Sequence, residues 1–491
     1  MRLELRQRLG NANILGAEPY GLRFNFNQPP TAGAGRYDRL GALEEYNNAS
    51  GALAWNPEIA AKCTVQNRMR RCVMKDTIAD PAKPQNSVVY YLHPTDSTKR
   101  ADGTAAKLDG TDGQVMVEIP RFFQRAVYSD SSPDTMEWWI SPSPKAGYTV
   151  HPAFFKIIEG EKTEVPFRYM SAYEGVLQLG DNYLDYYDYE GDPNTVHQRL
   201  AENERQLRYQ TNPKLASVKG KLPVAQGTRA EFREAARNRD GNTDDSTWRL
   251  TDWSLWSAIQ LLFLIEYGTF SSQGALAGDN AGGLSNLASG SWAASVSGGS
   301  STYVPIVPTG GTESLGNGSG NVSLKDIYGE GAGLPIFDGA NDLYWDDVIP
   351  CYRGIESPYG HIWQWLDGIV LDFDTVNRLD AYVSPGAFLD DNPSDAYRKF
   401  IAHSEADNVP GSGSFARIHE VAGLDGFYPR ASGGSTITGI TDYYYNTSGA
   451  GKRVVAVGGS SFSGGDAGVF CVLARYGSGY RTTFIGGRLC L

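Results

Sequence analysis

Residues 453–491 read RVVAVGGSSFSGGDAGVFCVLARYGSGYRTTFIGGRLCL. The two ends, 453–459 and 484–491, alternate apolar residues with glycine in the manner of short buried strands, while the middle is Ser, Gly, Tyr, Phe, Arg and Thr. This pattern predicts scaffold at the ends and surface between them. From 458 to 491 there is no Lys, Glu, Pro or His, yet Phe462, Tyr476, Tyr480 and Phe484 occur, a mixture like that of an antibody combining site. Aromatic rings give large contact area at low entropy cost, and Ser and Gly adapt around them. The plain alternative is a terminal hairpin whose aromatics face inward.

The chain of 491 residues has room for two to four domains. Hydrophobic content of 41% and a mean hydropathy of −0.37 predict a folded, soluble protein. With 57 Gly and 28 Tyr and few long helical patterns, strands and loops are expected to dominate. A formal charge of −12 argues against a nucleic-acid partner, since no broad face would neutralise phosphates. The basic run at Arg68, Arg70 and Arg71 is too short to change that expectation.

The first ten residues, MRLELRQRLG, carry charge but no apolar stretch ahead of a cleavage site, and the longest apolar run, 259–265, is too short to span a bilayer. The expectation is synthesis in a cytoplasm without membrane insertion. Cys63, Cys72, Cys351, Cys471 and Cys490 have no metal-type spacing and read as free buried thiols.

Composition divides the chain at about 85 and 160. Residues 1–85 are rich in Gly, Asn and Pro with turn signals at 27–30 and 33–35, and are read as an irregular attachment region. Residues 86–160 carry strand candidates at 88–92, 115–119 and 137–140. The cluster DGTDG at 109–113 is a turn; as a calcium loop it lacks the bidentate Glu at the twelfth position, and whether calcium steadies a loop stays open. His151 before Pro152 reads as structural.

Residues 161–491 open with the clearest elements. Thr228 and Glu231 form a capping box for a helix ending near Asn238, and Thr251 or Asp252 caps a second helix through Tyr267, stopped by Gly268. The second is apolar nearly all round, so it belongs inside the domain, with Trp253 and Trp256 in the core. From 271 to 320 a Gly/Ser/Ala/Asn-rich, loop-like insertion follows.

Three resemblances extend this reading. The frame Gly458-Gly459 with Ile485-Gly486-Gly487-Arg488-Leu489 around variable polar and aromatic positions resembles the variable region of diversity-generating-retroelement target proteins. The segments GTDGQVMVEIPRFF (110–123) and WWISPSPKAGYTVHPAFF (138–155) resemble a module of phage tail-fibre and tail-tip proteins. The order TRAEFREAARNR, WRLTDWSLWSAIQLLFLIEYG, RGIESPYGHIWQWLDG and RVVAVGG…FIGGRL, across 169–491, resembles the formylglycine-generating-enzyme branch of the C-type-lectin fold.

These resemblances imply an α+β chain: a C-type-lectin fold, two helices on a twisted antiparallel sheet with long loop insertions, preceded by a mostly-β tail-fibre-like region. They imply a virion-tail adhesin, a homotrimer, binding a bacterial surface receptor, protein or glycan, through 453–491 and other tail proteins through its N-terminal region. By register the ligand-facing set is Ser460, Phe462, Ser463, Asp466, Leu473, Arg475, Tyr476, Tyr480, Arg481, Thr483 and Phe484, with Phe470, Ile485, Arg488 and Leu489 as scaffold. The enzymes of that branch suggest the alternative, a copper- or non-haem-iron oxidase. Cys471 and Cys490, 19 apart, do not form the paired-Cys motif, and His361, His403 and His419 lack local ligand spacing. Asp372 and Asp374 are a chance-level carboxylate pair among 56 acids. The expectation is therefore binding without catalysis, metal or cofactor.

Overall fold

The computed structural model describes residues 17–26, 37–48, 51–52, 54–129, 132–183, 207, 210–241, 247–277, 307–328, 348–373, 379–384, 391–392, 397–401, 413–418, 426–434, 440–446, 449–461, 463–482 and 484–491. Strands dominate and helices are few. Among the described residues no helix is long and apolar enough to cross a membrane.

The longest described helix, Trp253–Tyr267, sits at the centre of the core, and every one of its residues is buried. Asp252 caps it, its Oδ1 accepting from Leu255 N at 2.8 Å, and Gly268 ends it at φ 69°, a conformation that costs glycine little. Two carbonyls left over at its last turn are met from the other end of the chain, Arg39 donating to Ile265 O at 3.0 Å and Glu266 O at 3.2 Å, and Gln66 adds a bond to Leu262 O at 3.0 Å.

Those N-terminal groups come from regular strands within the stretch expected to be irregular, while the turn signals at 27–30 and 33–35 lie outside the described residues. Tyr20–Asn25 and Tyr37–Gly41 are strands of a five-stranded sheet ordered Thr149–Val150, Phe123–Ser129, Ser132–Ser141, Tyr20–Asn25, Tyr37–Gly41. Tyr20, Leu22 and Phe24 alternate into the core beside Trp138 and Ile140. Period-two alternation is present there in the sequence, and the flanking turn residues obscured it.

A seven-stranded sheet runs Arg249–Leu250, Leu489–Cys490, Phe167–Ser171, Gln114–Pro120, Arg70–Met74, Val88–His93, Asp96–Arg100. It draws strands from all three compositional stretches, so the divisions at 85 and 160 fall between strands of one sheet. The strand candidates at 88–92, 115–119 and 137–140 lie within Val88–His93, Gln114–Pro120 and Ser132–Ser141. Arg71 of the basic run is buried and donates to Gly354 O, Ser97 and Thr312, while Arg70 pairs with Glu118 at 2.8 Å. Part of the insertion is regular too: Ser272–Leu276 is a short helix, and residues 278–306 lie outside the described residues.

The third large sheet holds the region of interest. Its order is Arg398–Ile401, Leu379–Val383, Trp363–Phe373, Gly451–Gly458, Gly468–Tyr476, Tyr443–Tyr445, Gly413–Ile418, Pro429–Gly434, with Ile485–Gly486 joining Trp363–Phe373 in parallel. One face, carrying Leu366, Val455, Val457, Phe470 and Val472, shares a core with the long helix and the N-terminal sheet. The other, carrying Trp363, Trp365, Ala456, Cys471 and Leu473, shares a core with Phe232, Ala235 and Ala236 of the helix Arg229–Arg237. That helix has the capping box, Thr228 N donating to Glu231 Oε2 at 2.7 Å and Glu231 N to Thr228 Oγ1 at 3.2 Å.

Candidate ligand-binding face

The strand Gly468–Tyr476 corrects the expectation that the middle of 453–491 is all surface. Val469 to Ala474 are buried, because Phe470, Val472 and Ala474 point to one core and Cys471 and Leu473 to the other. Leu473 is 4% exposed and cannot meet a ligand directly. It lies opposite Ala456 on one neighbouring strand and Tyr445 on the other, beneath the aromatic residues that surround it.

A bulge then changes which side chain comes next. Ala456 pairs with Leu473, but Val454 pairs with Tyr476, so two residues, Ala474 and Arg475, stand against the single Val455. In unbroken alternation Arg475 would follow Leu473 onto this face; the extra residue puts Tyr476 there instead. Arg475 is left exposed, its guanidinium 5.6 Å from the Tyr476 ring centroid.

Tyr476 and Tyr480 stack with centroids 3.5 Å apart and planes inclined by 4°. The turn between them is closed by Tyr480 N donating to Gly477 O at 3.1 Å. Burial, and then the Tyr476 hydroxyl, pushes the Tyr480 phenol up to about 12. Phe484 follows, half-buried against the same core, and its carbonyl accepts from Trp363 N at 2.9 Å.

Sequence reasoning missed the rest of the layer. In Tyr443–Tyr445 the central ring turns into the helix-side core and its hydroxyl meets that of Tyr428, while Tyr443 and Tyr445 face the other way, half-exposed. Their centroids are 4.4 Å apart, and Tyr445 meets Trp363 edge-on at 5.6 Å. Three consecutive tyrosines with period two were the available signal. Tyr443, Tyr445 and Tyr476 thus share the sheet face of Leu473, Tyr480 stacks on Tyr476, and Phe484 packs half-buried against the same core, five rings in all.

The rim is polar. Asp466, in the turn Gly464–Asp466, accepts from Tyr445 OH at 3.0 Å, and burial raises its carboxyl above the usual range. Ser463 Oγ accepts from Ser460 N at 2.9 Å, which tightens the same turn. Ser460 is only 2% exposed, a second departure from the expected outward set: the close fold at Gly459, φ 85°, draws it beneath the turn. Arg481 is exposed and donates to Glu231 Oε1 at 3.0 Å, linking the face to the helix cap. Phe462 and Thr483 lie outside the described residues.

Beneath the rim the frame is rigid. Arg488 is fully buried, donating to Gln364 Oε1 at 2.7 Å, to Ser171 O and Ala172 O, and to the carbonyls of Glu356 and Ser357. A Cβ on Gly487 would come within 2.7 Å of Leu250 Cδ1 and 3.0 Å of Phe232 Cδ1, so a larger residue there would push these side chains aside. Ile485 and Leu489 are buried with them.

Among the described residues no three His, Cys, Asp or Glu side chains gather as an oxidase metal set would. All five cysteines are unpaired and buried. Burial pushes the Cys471 thiol far up and the Cys490 thiol to about 11, disfavouring the thiolate that a metal requires. The His361 ring is buried, Nδ1 meeting Glu174 and Nε2 accepting from Val307 N at 3.0 Å. His403, His419 and Asp374 lie outside the described residues. At 109–113, Asp109 Oδ1 accepts from Thr111 N at 3.0 Å, as in an Asx turn.

No protein-family model matches this chain, and no curated protein matches it either.

Proposed function

We propose that this chain is a phage tail receptor-binding protein that recognises a bacterial surface molecule through the aromatic face around Leu473. In this reading residues 161–491 have a C-type-lectin-like fold of the formylglycine-generating-enzyme branch, and the diversified positions lie in the exposed turns of 453–491. The observation that supports it is five half-buried rings displayed together on a sheet whose frame, from Arg488 to Gly487, is fully buried. A preordered platform lowers the ordering cost of binding, and rigid aromatics with adaptable polar neighbours are what a combining surface requires. The N-terminal region would join other tail proteins, and a homotrimer would combine weak sites on one particle.

The test is adsorption of the purified chain to a panel of bacterial strains. One strain or a few should retain it, and a Tyr476→Ala/Tyr480→Ala/Phe484→Ala variant with an unchanged far-ultraviolet spectrum should lose that retention. Equal retention of the two proteins sinks the proposal. A monomer by light scattering at micromolar concentration removes the trimer.

A further inference from the structure

Away from the aromatic face, the structure holds a cleft of about 930 Å³ between the loop at 95–98, Lys219-Gly220, and the segments 308–315 and 321–327. None of the five rings lines it. Its volume falls at the upper end of the range for small-molecule sites, roughly 300–1,000 Å³. Its walls mix polar and aliphatic groups. Thr95, Thr98, Ser314, Asn321, Asp96 and Asp326 line it, and among the described lining residues there is no aromatic side chain.

We propose that this cleft binds a short neutral saccharide. Three features carry the inference. First, Lys219, the cationic side chain among the described lining residues, is taken up by Glu313, and Asp96 is paired with Lys99, which leaves the exposed carboxylate of Asp326 to set the sign. Phosphate, sulfate and uronate ligands are repelled, and without a ring to stack on, nucleobases gain little. Second, the wall is preordered by its own hydrogen bonds. Asp96 Oδ1 accepts from Thr98 N at 3.0 Å and Thr98 Oγ1 at 2.5 Å, and Lys99 pairs with its other oxygen at 2.8 Å. The facing loops are tied by Gly220 N donating to Thr309 O at 2.8 Å and Thr309 N to Lys221 O at 2.9 Å. Third, the Asp326 carboxylate has no hydrogen-bond or ionic partner among the described residues, so a ligand hydroxyl meets an open charged acceptor. Pro308, Val322 and Ile327 supply the short aliphatic surface on which the C–H edges of a sugar ring rest. A polyol alternating O–H and C–H groups fits walls that alternate in the same way.

Ligand-observed NMR with maltotriose, chitotriose and a rhamnose trisaccharide tests this, with sialyllactose as the anionic control. At least one neutral trisaccharide should bind at millimolar concentration and more tightly than sialyllactose. Asp326→Ala should weaken it about tenfold, the loss of one charge-assisted hydrogen bond, and Ser314→Trp, a bulky group on the exposed rim, should abolish it. Tyr480→Ala should leave it unchanged, which separates this cleft from the receptor face. Thermal unfolding checks that each variant is folded. The inference is overturned if no neutral trisaccharide binds, if sialyllactose binds better, or if binding survives in folded Ser314→Trp.

Discussion

Tyr480 lies flat on Tyr476, the two ring planes within 4° of parallel, half-buried on the Leu473 face of a strand in which Arg475, the residue before Tyr476, is displaced by a bulge. The pair is bought with little of the core, since neither ring fills the interior. Stacked aromatic pairs contribute about 0.5–1.5 kcal/mol beyond their burial. Tyr480→Ala should therefore cost about 1 kcal/mol in chemical denaturation, while a central binding residue costs roughly 2 kcal/mol or more, about 30-fold in Kd. A stability loss well above that range would mean that Tyr480 serves the fold.

The same pair gives a titration signature. Tyr480 should ionise near pH 12, and Tyr476→Phe should move it downward by removing the hydroxyl that opposes the phenolate. Carbon-labelled tyrosine NMR reads this directly. An unmoved Tyr480 would show that the two hydroxyls do not sense each other.

Asp442 makes stability depend on pH. It is fully buried, and its carboxylate accepts from Ser272 Oγ at 2.5 Å, Ser272 N at 3.2 Å and Phe470 N at 2.9 Å, with Tyr359 and Cys471 as the titratable groups nearby. Burial raises it from 3.8 to about 7 in spite of those donors. A carboxyl raised in the folded state keeps its proton there between the two values. Its contribution is complete below about pH 4 and is lost as pH rises through about 7. Urea midpoints should show Asp442→Asn losing less stability than the parent chain between pH 5 and pH 8, a window around that value. Parallel pH profiles would refute the assignment.

Arg488 has no conservative substitute. Its guanidinium reaches a side chain and backbone carbonyls from three separate segments, a geometry that the single ammonium of lysine does not reproduce. Arg488→Lys should cost about 3 kcal/mol or more, as expected when buried hydrogen-bonding groups lose their partner. Guanidinium-induced unfolding measures it.

Arg481 should behave in the opposite way. Its bond to Glu231 is solvent-exposed, and such pairs contribute about 0–1 kcal/mol. Arg481→Ala should leave the unfolding midpoint nearly unchanged, so any change in cell adsorption reports on the face alone.

What the sequence disclosed depended on how local each signal was. The Thr228–Glu231 box, the Asp252 cap and the Gly268 stop are one-turn events, and the helices Arg229–Arg237 and Trp253–Tyr267 follow from them. Phe470, among the scaffold residues by register, packs at 4.8 Å from Phe270 and 5.3 Å from Phe427, in the helix-side core. Pairing between distant segments was not legible. Nothing in 453–491 reveals that Tyr445 would stand opposite Leu473, nor that a bulge would exchange Arg475 for Tyr476. Leu473 is buried against the expectation for this reason, because exposure on a strand is decided by the neighbour that covers it, while Ser460 is drawn in by the turn at Gly459.

The bracket holding residues 459–484 has its two arms in different walls of the building. Gly451–Gly458 belongs to the nine-stranded sheet, while Leu489–Cys490 is threaded between Phe167–Ser171 and Arg249–Leu250 in the seven-stranded one. A substitution in the exposed turns between them would consequently be confined, because each arm is clamped by partners outside those turns.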